Sequence, residues 1–148
     1  MVYTANIKVC FGDIDNAGIV YYPRFVHYFH VALEEYFSNY LKIEYSTVID
    51  EHRIAFPTVH LESDFKMRLR FGDKLIVKVR VLDIGNTSIT WHYEVVRTYD
   101  LYSIVAEGKN VTVCIDIDTF KKRSIPQWLL NKLVEYKEHQ DLDEKTVQ

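Results

Sequence analysis

Alternation of apolar and polar residues recurs five times along the chain and predicts five β-strands. The positions between the apolar residues carry polar groups, such as Lys78 and Arg80 or His92 and Glu94. This pattern is typical of an antiparallel sheet with one dry face and one solvated face. The five apolar faces are Ala5/Ile7/Val9/Phe11, Val59/Leu61/Ser63/Phe65/Met67, Leu75/Val77/Val79/Val81, Ile89/Trp91/Tyr93/Val95 and Val111/Val113/Ile115/Ile117.

Between the first two predicted strands, the apolar residues follow the period of a helix instead of alternating. From Pro23 to Lys42 apolar residues recur three or four positions apart and cover most of the circumference, so we expect this helix to lie buried against the dry face. A second, peripheral helix is predicted from Ser124, which forms a capping-box pattern with Gln127. Short turns, including one at residues 99–103, favour the last four strands as sequential neighbours. The predicted fold class is α+β.

Composition and charge narrow the possible functions. The chain has 148 residues, 48% of them hydrophobic, which suits a single domain over 1–148 with a frayed polar tail at 139–148. A net charge of −3 gives no basic field for nucleic acid. Cys10 and Cys114 fit neither a disulfide framework nor a zinc site, so no metal is expected. Neither a signal sequence nor an apolar run of membrane-spanning length is found, so we expect a cytoplasmic protein without membrane insertion.

The segment FGDIDNAGIVYYP, residues 11–23, leads from the first strand into the buried helix. Asp13, Asp15 and Gly18 resemble the start of a calcium-binding EF-hand loop, but the twelfth loop position is Arg24 instead of a bidentate glutamate. This substitution excludes the calcium hypothesis. For Asp13, a role in a turn or a helix cap is the favoured interpretation.

Asp15 is the candidate catalytic residue because its neighbours are apolar and aromatic. The backbone N–H at the start of the Pro23 helix, about Tyr22, would stabilise the oxyanion that develops on a thioester carbonyl. Asp15 would act either as a nucleophile that forms a mixed anhydride or as a general base that activates water. The sequence leaves these two mechanisms open.

The same motif resembles the signature of the 4-hydroxybenzoyl-CoA thioesterase family, and the resemblance spans roughly residues 5 to 126. It implies a hotdog fold, with a five-stranded antiparallel sheet wrapped around a long central helix, plus a C-terminal helix. It also implies acyl-CoA thioester hydrolysis by Asp15 and the Tyr22 N–H, with coenzyme A as part of the substrate and no cofactor. A homodimer or a tetramer with active sites at the subunit interface is expected. Substrate-binding residues under this resemblance are Gly18, Ile19, Val20, Tyr21, Pro23, Pro57 and Thr58.

The resemblance also bears on the acyl group. The Tyr22-Pro23 pair resembles the branch that hydrolyses aromatic substrates, which favours an acyl group like 4-hydroxybenzoyl. The alternative is a short-chain aliphatic thioesterase of the Tol-Pal-associated branch. That branch usually has His-Ala at these two positions. Arg24 and His30 depart from the pattern of many relatives, where Asn and an acidic residue stand. These departures affect pocket polarity and substrate choice.

Other residues carry weaker signals. Lys121 and Arg123, together with Arg68 and Arg70, are candidates for binding the phosphates of coenzyme A, although a solvated charge run explains them equally well. His27 and His30 are expected in packing or surface roles, since no third metal ligand accompanies them. A hotdog dehydratase lacks support because its histidine motif is absent. A non-catalytic acyl-CoA-binding protein stays open, because fold alone does not establish catalysis.

Overall fold

The computed structural model describes residues 1–146 and, for side chains, residues 1–142. Seven strands and three helices are present, together with one 3₁₀ turn at Phe11–Asp13. The strands are β1 (Tyr3–Lys8), β2 (Ile54–Ala55), β3 (Thr58–Phe65), β4 (Lys74–Ile84), β5 (Ser88–Arg97), β6 (Asp100–Val113) and β7 (Ile115–Asp116). The helices are α1 (Pro23–Asn39), α2 (Tyr45–Asp50) and α3 (Gln127–Thr146).

The main sheet has five antiparallel strands in the order β1-β4-β5-β6-β3, and β2 pairs with β7 in a separate two-stranded sheet. The five-stranded antiparallel sheet predicted from alternation is therefore confirmed. Along β4, every second residue from Leu75 to Val81 is fully buried, as the period of a half-buried strand requires. These side chains form the floor on which the central helix packs.

Helix α1 begins at Pro23, which tolerates the first helical position because its missing N–H would have no helical partner. Its buried face carries mainly aromatic rings. Phe29 stacks on Tyr93 of β5, with ring centroids 5.0 Å apart, and Tyr36 meets Trp91 of the same strand edge to face. Aromatic pairs of this kind add to the free energy gained by burial. The predicted burial of this helix against the sheet is confirmed.

The predicted inner face of the last strand was wrong. Asn110 lies opposite Trp91 and Gly108 lies opposite Tyr93, so the residues of β6 that face α1 are Gly108, Asn110 and Thr112 instead of the series that begins at Val111. Two contacts explain this register. A side chain at Gly108 would overlap the Phe29 ring, and the Trp91 indole N–H donates to Thr112 Oγ1 over 3.0 Å.

The predicted strand adjacency was also partly wrong. Strands β4, β5 and β6 are sequential neighbours, but β3 pairs with β6 at the far edge of the sheet. The connection from Lys66 to Asp73 crosses the end of the sheet, held by two bonds from the N–H groups of Lys66 and Met67 to the Val105 carbonyl. In addition, β6 begins at Asp100, inside the stretch that was assigned to a turn.

Helix α3 differs from the prediction at both ends. It begins at Gln127 instead of Ser124, and it continues to Thr146, so residues 139–146 do not form a frayed tail. The buried Gln140 side chain accepts from the Val81 N–H over 3.0 Å and donates to the Val81 carbonyl over 2.5 Å. This pairing anchors the last turns of the helix to β4. The final two residues of the predicted tail lie outside the described part of the chain.

None of the helices between residues 1 and 146 is both long enough and apolar enough to span a membrane.

Candidate active site

The segment after β1 folds into a small hairpin. Ile14 lies opposite Val20, the Asp15 N–H donates to the Ile19 carbonyl over 2.9 Å, and the Gly18 N–H donates to the Asp15 carbonyl over 3.0 Å. Gly18 has a φ of 78°, a backbone conformation that glycine adopts without steric cost. The chain therefore reverses direction directly after Asp15.

The Asp15 side chain lies on the surface of this hairpin. Its Oδ1 accepts a hydrogen bond of 2.8 Å from the Ala17 N–H, which is the usual arrangement of an Asp that begins a turn. Its second oxygen has no hydrogen-bond partner within residues 1–142. One carboxylate oxygen is thus fixed by the loop, and the other is open to an incoming group.

The start of helix α1 leaves one backbone donor unused. Pro23 has no N–H, the Arg24 N–H donates to the Tyr21 carbonyl over 2.8 Å, and the Phe25 N–H donates to the Tyr22 carbonyl over 3.1 Å. The Tyr22 N–H has no acceptor in the described chain. A free N–H at the positive end of a helix can stabilise a developing negative charge. The Tyr22 N–H, which the sequence suggested as the donor to the oxyanion, is therefore available in the structure.

Asp13 connects the hairpin to helix α1. Its Oδ2 accepts from the Cys10 N–H and from the Tyr28 hydroxyl, each over 2.9 Å, and its Oδ1 lies 3.8 Å from Nε of Arg24. Burial and the hydrogen bond to Asp13 raise the pKa of Tyr28, so this hydroxyl remains a donor. The predicted turn role of Asp13 is present, but these bonds also fix the Asp15 hairpin against the helix. Sequence reasoning missed this second role because Tyr28 is fifteen positions away.

A cavity of about 440 Å³ opens beside the N-terminal half of α1. Its walls come from α1, β3, β5 and β6, and the mutually stacked rings of Phe29 and Tyr93 both line it. The residues that line it are Pro23, Val26, His27, Phe29, His30, Thr58, Leu61, Tyr93 and Asn110.

Only two of the predicted substrate-binding residues, Pro23 and Thr58, line this cavity. Asp15 and the predicted residues Gly18, Ile19, Val20, Tyr21 and Pro57 do not. The reason is that the hairpin turns toward the segment before β4: Ile19 lies opposite Arg70, and the buried Val20 donates its N–H to the Leu69 carbonyl over 2.9 Å. The hairpin residues thus support the loop that leads into Pro23, a lining residue of the cavity.

The cavity also contains polar groups that sequence reasoning missed. Asn110 is buried; its Nδ2 donates to Thr58 Oγ1 over 3.0 Å, and its Oδ1 has no hydrogen-bond partner. His27 and His30, which were assigned to packing or surface roles, also line the cavity, and Nε2 of His30 lies 3.1 Å from Oε1 of Glu34. Asn110 directly precedes the predicted apolar series that begins at Val111, and that register put its position on the solvated face.

The basic residues predicted to bind phosphate lie in two places: Arg70 lies opposite Ile19 of the hairpin, whereas Lys121 and Arg123 lie beyond the far end of β6. Lys121 and Arg123 are exposed, and the Arg123 N–H bonds to the Cys114 carbonyl beyond the end of β6. The other end of the β3–β6 pair, at Phe65 and Ala106, is the end near the Asp15 hairpin. About 25 Å of β6 lies between that end and Arg123. One protomer does not bring these groups together. Within the described residues, no three His, Cys, Asp or Glu side chains converge as a metal site.

Comparison with known proteins gives a consistent result. Residues 9–133 match the model of the thioesterase-like superfamily. The chain is 32% identical to a 1,4-dihydroxy-2-naphthoyl-CoA hydrolase of Nostoc punctiforme, over 87% of each chain. It is 25% identical to the acyl-CoA thioesterase YbgC of Haemophilus influenzae, over 84% of this chain and 89% of that one.

The structure gives the same assignment. It superposes on Slr0204, a 1,4-dihydroxy-2-naphthoyl-CoA thioesterase from Synechocystis, with a TM-score of 0.81 and 25% identity, over 90% of this chain and 96% of that one. The hotdog fold and the family resemblance expected from the sequence are therefore confirmed. The chain belongs to the thioesterase-like superfamily and is a thioester hydrolase.

Proposed function

We propose that this protein hydrolyses an aromatic acyl-CoA thioester to the free acid and coenzyme A, with Asp15 and the Tyr22 N–H acting on the thioester carbonyl. The observation that carries the proposal is the unused Tyr22 N–H at the start of α1. This N–H lies one residue before Pro23, which lines the cavity. The hairpin that carries Asp15 leads directly into helix α1.

The chemistry requires few groups. The Tyr22 N–H donates to the carbonyl oxygen as negative charge develops there. The open oxygen of Asp15 either attacks the carbonyl carbon, giving a mixed anhydride that water cleaves, or removes a proton from the attacking water. A thiol ionises near pH ~8.5, so the coenzyme A thiolate leaves without a strong general acid. No metal or separate cofactor enters this mechanism.

The cavity supports an aromatic acyl group. The aromatic lining formed by Phe29 and Tyr93 suits a planar ring, since edge-to-face contacts between rings are favourable. The unpaired Oδ1 of Asn110 is an acceptor that a ring hydroxyl would satisfy, and unsatisfied buried acceptors are costly. The relatives from Nostoc and Synechocystis carry names that specify a dihydroxynaphthoyl group. We therefore propose a hydroxylated aromatic acyl group over a short aliphatic one.

A second copy of the chain would complete the site. Strand β3 is an edge of the sheet, and an unpaired edge offers its N–H and carbonyl groups to another strand. Apolar side chains on β3 remain exposed, with fractions of 62% for Val59, 43% for Leu61 and 45% for Phe65. Leu61 also lines the cavity, so a partner that covers β3 would close the acyl site. We propose a homodimer through β3, located in the cytoplasm.

Thiol release from a panel of acyl-CoA thioesters tests the proposal. The panel contains hydroxylated aryl, unsubstituted aryl and short aliphatic acyl groups, each assayed with the parent protein and with Asp15→Asn. We expect the hydroxylated aryl esters to give the highest kcat/KM, and we expect Asp15→Asn to lower kcat by about 10²-fold or more, because it removes the attacking or proton-accepting carboxylate.

Asp83→Asn is the matched control, since Asp83 is an exposed carboxylate near the far end of β4. It should hydrolyse as fast as the parent. Equal rates for Asp15→Asn and the parent would exclude Asp15 from the chemistry. A preference for short aliphatic esters would favour the aliphatic alternative, and tight acyl-CoA binding with no thiol release would favour a binding protein.

A further inference from the structure

The carboxylate of Asp13 lies between the Asp15 hairpin (residues 13–21) and helix α1. Only 14% of its side chain is exposed. Its Oδ2 accepts from the Tyr28 hydroxyl over 2.9 Å, and its Oδ1 faces Nε of Arg24 at 3.8 Å. We call these three side chains the Asp13 cluster. None of them lines the cavity beside α1, so the cluster is separate from the proposed acyl site.

Backbone hydrogen bonds connect the cluster to the proposed oxyanion donor. The Asp13 carbonyl accepts from the Tyr21 N–H over 2.9 Å, and the Tyr21 carbonyl accepts from the Arg24 N–H over 2.8 Å. The Tyr21 carbonyl and the Tyr22 N–H belong to one planar peptide unit, so a bond that holds the carbonyl also orients the N–H. The Arg24 side chain then returns to Asp13 and closes the ring of contacts.

The remaining anchors of the hairpin hold it to a different part of the chain. The Val20 N–H donates to the Leu69 carbonyl over 2.9 Å, which fixes the hairpin to the segment before β4. Within residues 1–142, no side-chain hydrogen bond or ion pair outside the Asp13 cluster joins the hairpin to α1. The cluster is therefore the polar connection between the element that carries Asp15 and the helix that begins after Tyr22.

Tyr28 makes the stronger of the two side-chain contacts with Asp13. The Tyr28 side chain is buried, and a hydrogen bond from a hydroxyl to a carboxylate is strengthened by the charge of the acceptor. Arg24 is 46% exposed and lies farther from the carboxylate, and exposed ion pairs of this kind contribute little. The hold on the hairpin therefore depends mainly on one hydroxyl group.

We infer that Tyr28 is a positioning residue for thioester hydrolysis: through Asp13, its hydroxyl holds the Asp15 carboxylate in register with the Tyr22 N–H. The inference rests on the proposed roles of Asp15 and Tyr22. Displacement of reacting groups by about 1 Å can slow a reaction by about 10²-fold. Because the cluster lies outside the cavity, loss of the hydroxyl slows the chemical step and leaves acyl-CoA binding unchanged.

Steady-state kinetics of Tyr28→Phe, which removes only the hydroxyl, test the inference. We expect kcat to fall by about 10-fold to 10²-fold while KM stays within about twofold of the parent. Asp13→Asn should have a similar effect, and the double variant should be no slower than the slower single variant, because both act through one contact. Arg24→Ala should lower kcat by about threefold at most. Tyr36→Phe is the matched control, since the Tyr36 hydroxyl is buried on the same helix without a hydrogen-bond partner, and it should match the parent.

Amide hydrogen exchange, measured by NMR, tests the hold on the hairpin without requiring hydrolysis. In Tyr28→Phe the Tyr21 and Asp15 amides should exchange about tenfold faster or more, whereas the amides of β4 should exchange as in the parent.

The outcomes separate the inference from the proposed function. Parent-like kcat in Tyr28→Phe, together with a slow Asp15→Asn, would overturn the inference and leave the proposed function standing. A raised KM without a lower kcat, or an equal loss of kcat in Tyr36→Phe, would also overturn the inference. Faster hairpin exchange in Tyr28→Phe, with no thioester hydrolysed by the parent, would support the hold of Tyr28 on the hairpin and refute the proposed function.

Discussion

At the scale of single residues, Gly108 fixes how the helix lies on the sheet. It is buried on β6 directly opposite Tyr93, and the Phe29 ring occupies the space where a side chain would stand. Phe29 in turn stacks on Tyr93, and both rings line the cavity beside α1. The absence of one Cβ therefore determines both the packing of α1 and the shape of the substrate site.

Gly108→Ala should lower the free energy of unfolding by about 1–3 kcal/mol, because the new methyl group overlaps the Phe29 ring within a close-packed core. Urea denaturation measures this difference. Gly12→Ala is the control, since a Cβ there meets nothing within 4 Å. Combining Gly108→Ala with Phe29→Leu should recover part of the loss. If Gly108→Ala were as stable as the parent, the described contact of Phe29 with β6 would be wrong.

At the scale of elements, strand β3 is an edge strand that has a partner on only one side within a single chain. Its partner on one side is β6, and its other side is free in the sheet. Phe65 touches the start of α1 through Phe25, with ring centroids 5.2 Å apart, and Tyr22 through a centroid distance of 6.1 Å. Pairing of β3 with a second copy would therefore act directly on the residues that frame the thioester site.

Leu61→Glu should convert the protein from a dimer to a monomer, because it places a charge on the β3 surface that the partner would bury. Sedimentation equilibrium measures the mass. Leu82→Glu is the matched control: Leu82 and Leu61 are equally exposed, at 43%, but Leu82 lies on β4, away from β3. A parent protein that sediments as a monomer, or a Leu61→Glu variant that remains dimeric, contradicts the proposed interface.

At the scale of the whole molecule, the periodicity of apolar residues was sufficient to predict the sheet, from alternation, and the buried helix, from a spacing of three or four positions. Burial along β4 and β5 follows that alternation, because Val77, Val79, Trp91 and Tyr93 all face the core. The pattern failed at β6, where Val111 and Asn110 exchange faces relative to the prediction. Alternation shows which residues of a strand share a face. Which of the two faces of β6 is buried depends on its contacts with Phe29 and Trp91, which are distant in the sequence.

The candidate site was predictable only where it is local in sequence. The hairpin, its glycine and the first turn of α1 lie within residues 11–25, and turn and helix chemistry describe them directly. The cavity beside α1 combines side chains from four elements, so His27, Tyr93 and Asn110 became neighbours only in three dimensions. A second groove likewise combines Arg70 with Arg97 across the end of the sheet.

The proposed role of the Tyr22 N–H in stabilising the thioester oxyanion is tested by removing that N–H. Tyr22 has φ −52°, which a proline ring accepts, so Tyr22→Pro deletes the donor without breaking any described hydrogen bond of that N–H. Tyr22→Ala is the control, because it removes the ring and keeps the N–H. The measurement is kcat for the preferred acyl-CoA, with circular dichroism to verify the fold. We expect Tyr22→Pro to be about 10²–10³-fold slower than Tyr22→Ala; equal kcat values for two folded variants would exclude the Tyr22 N–H from catalysis.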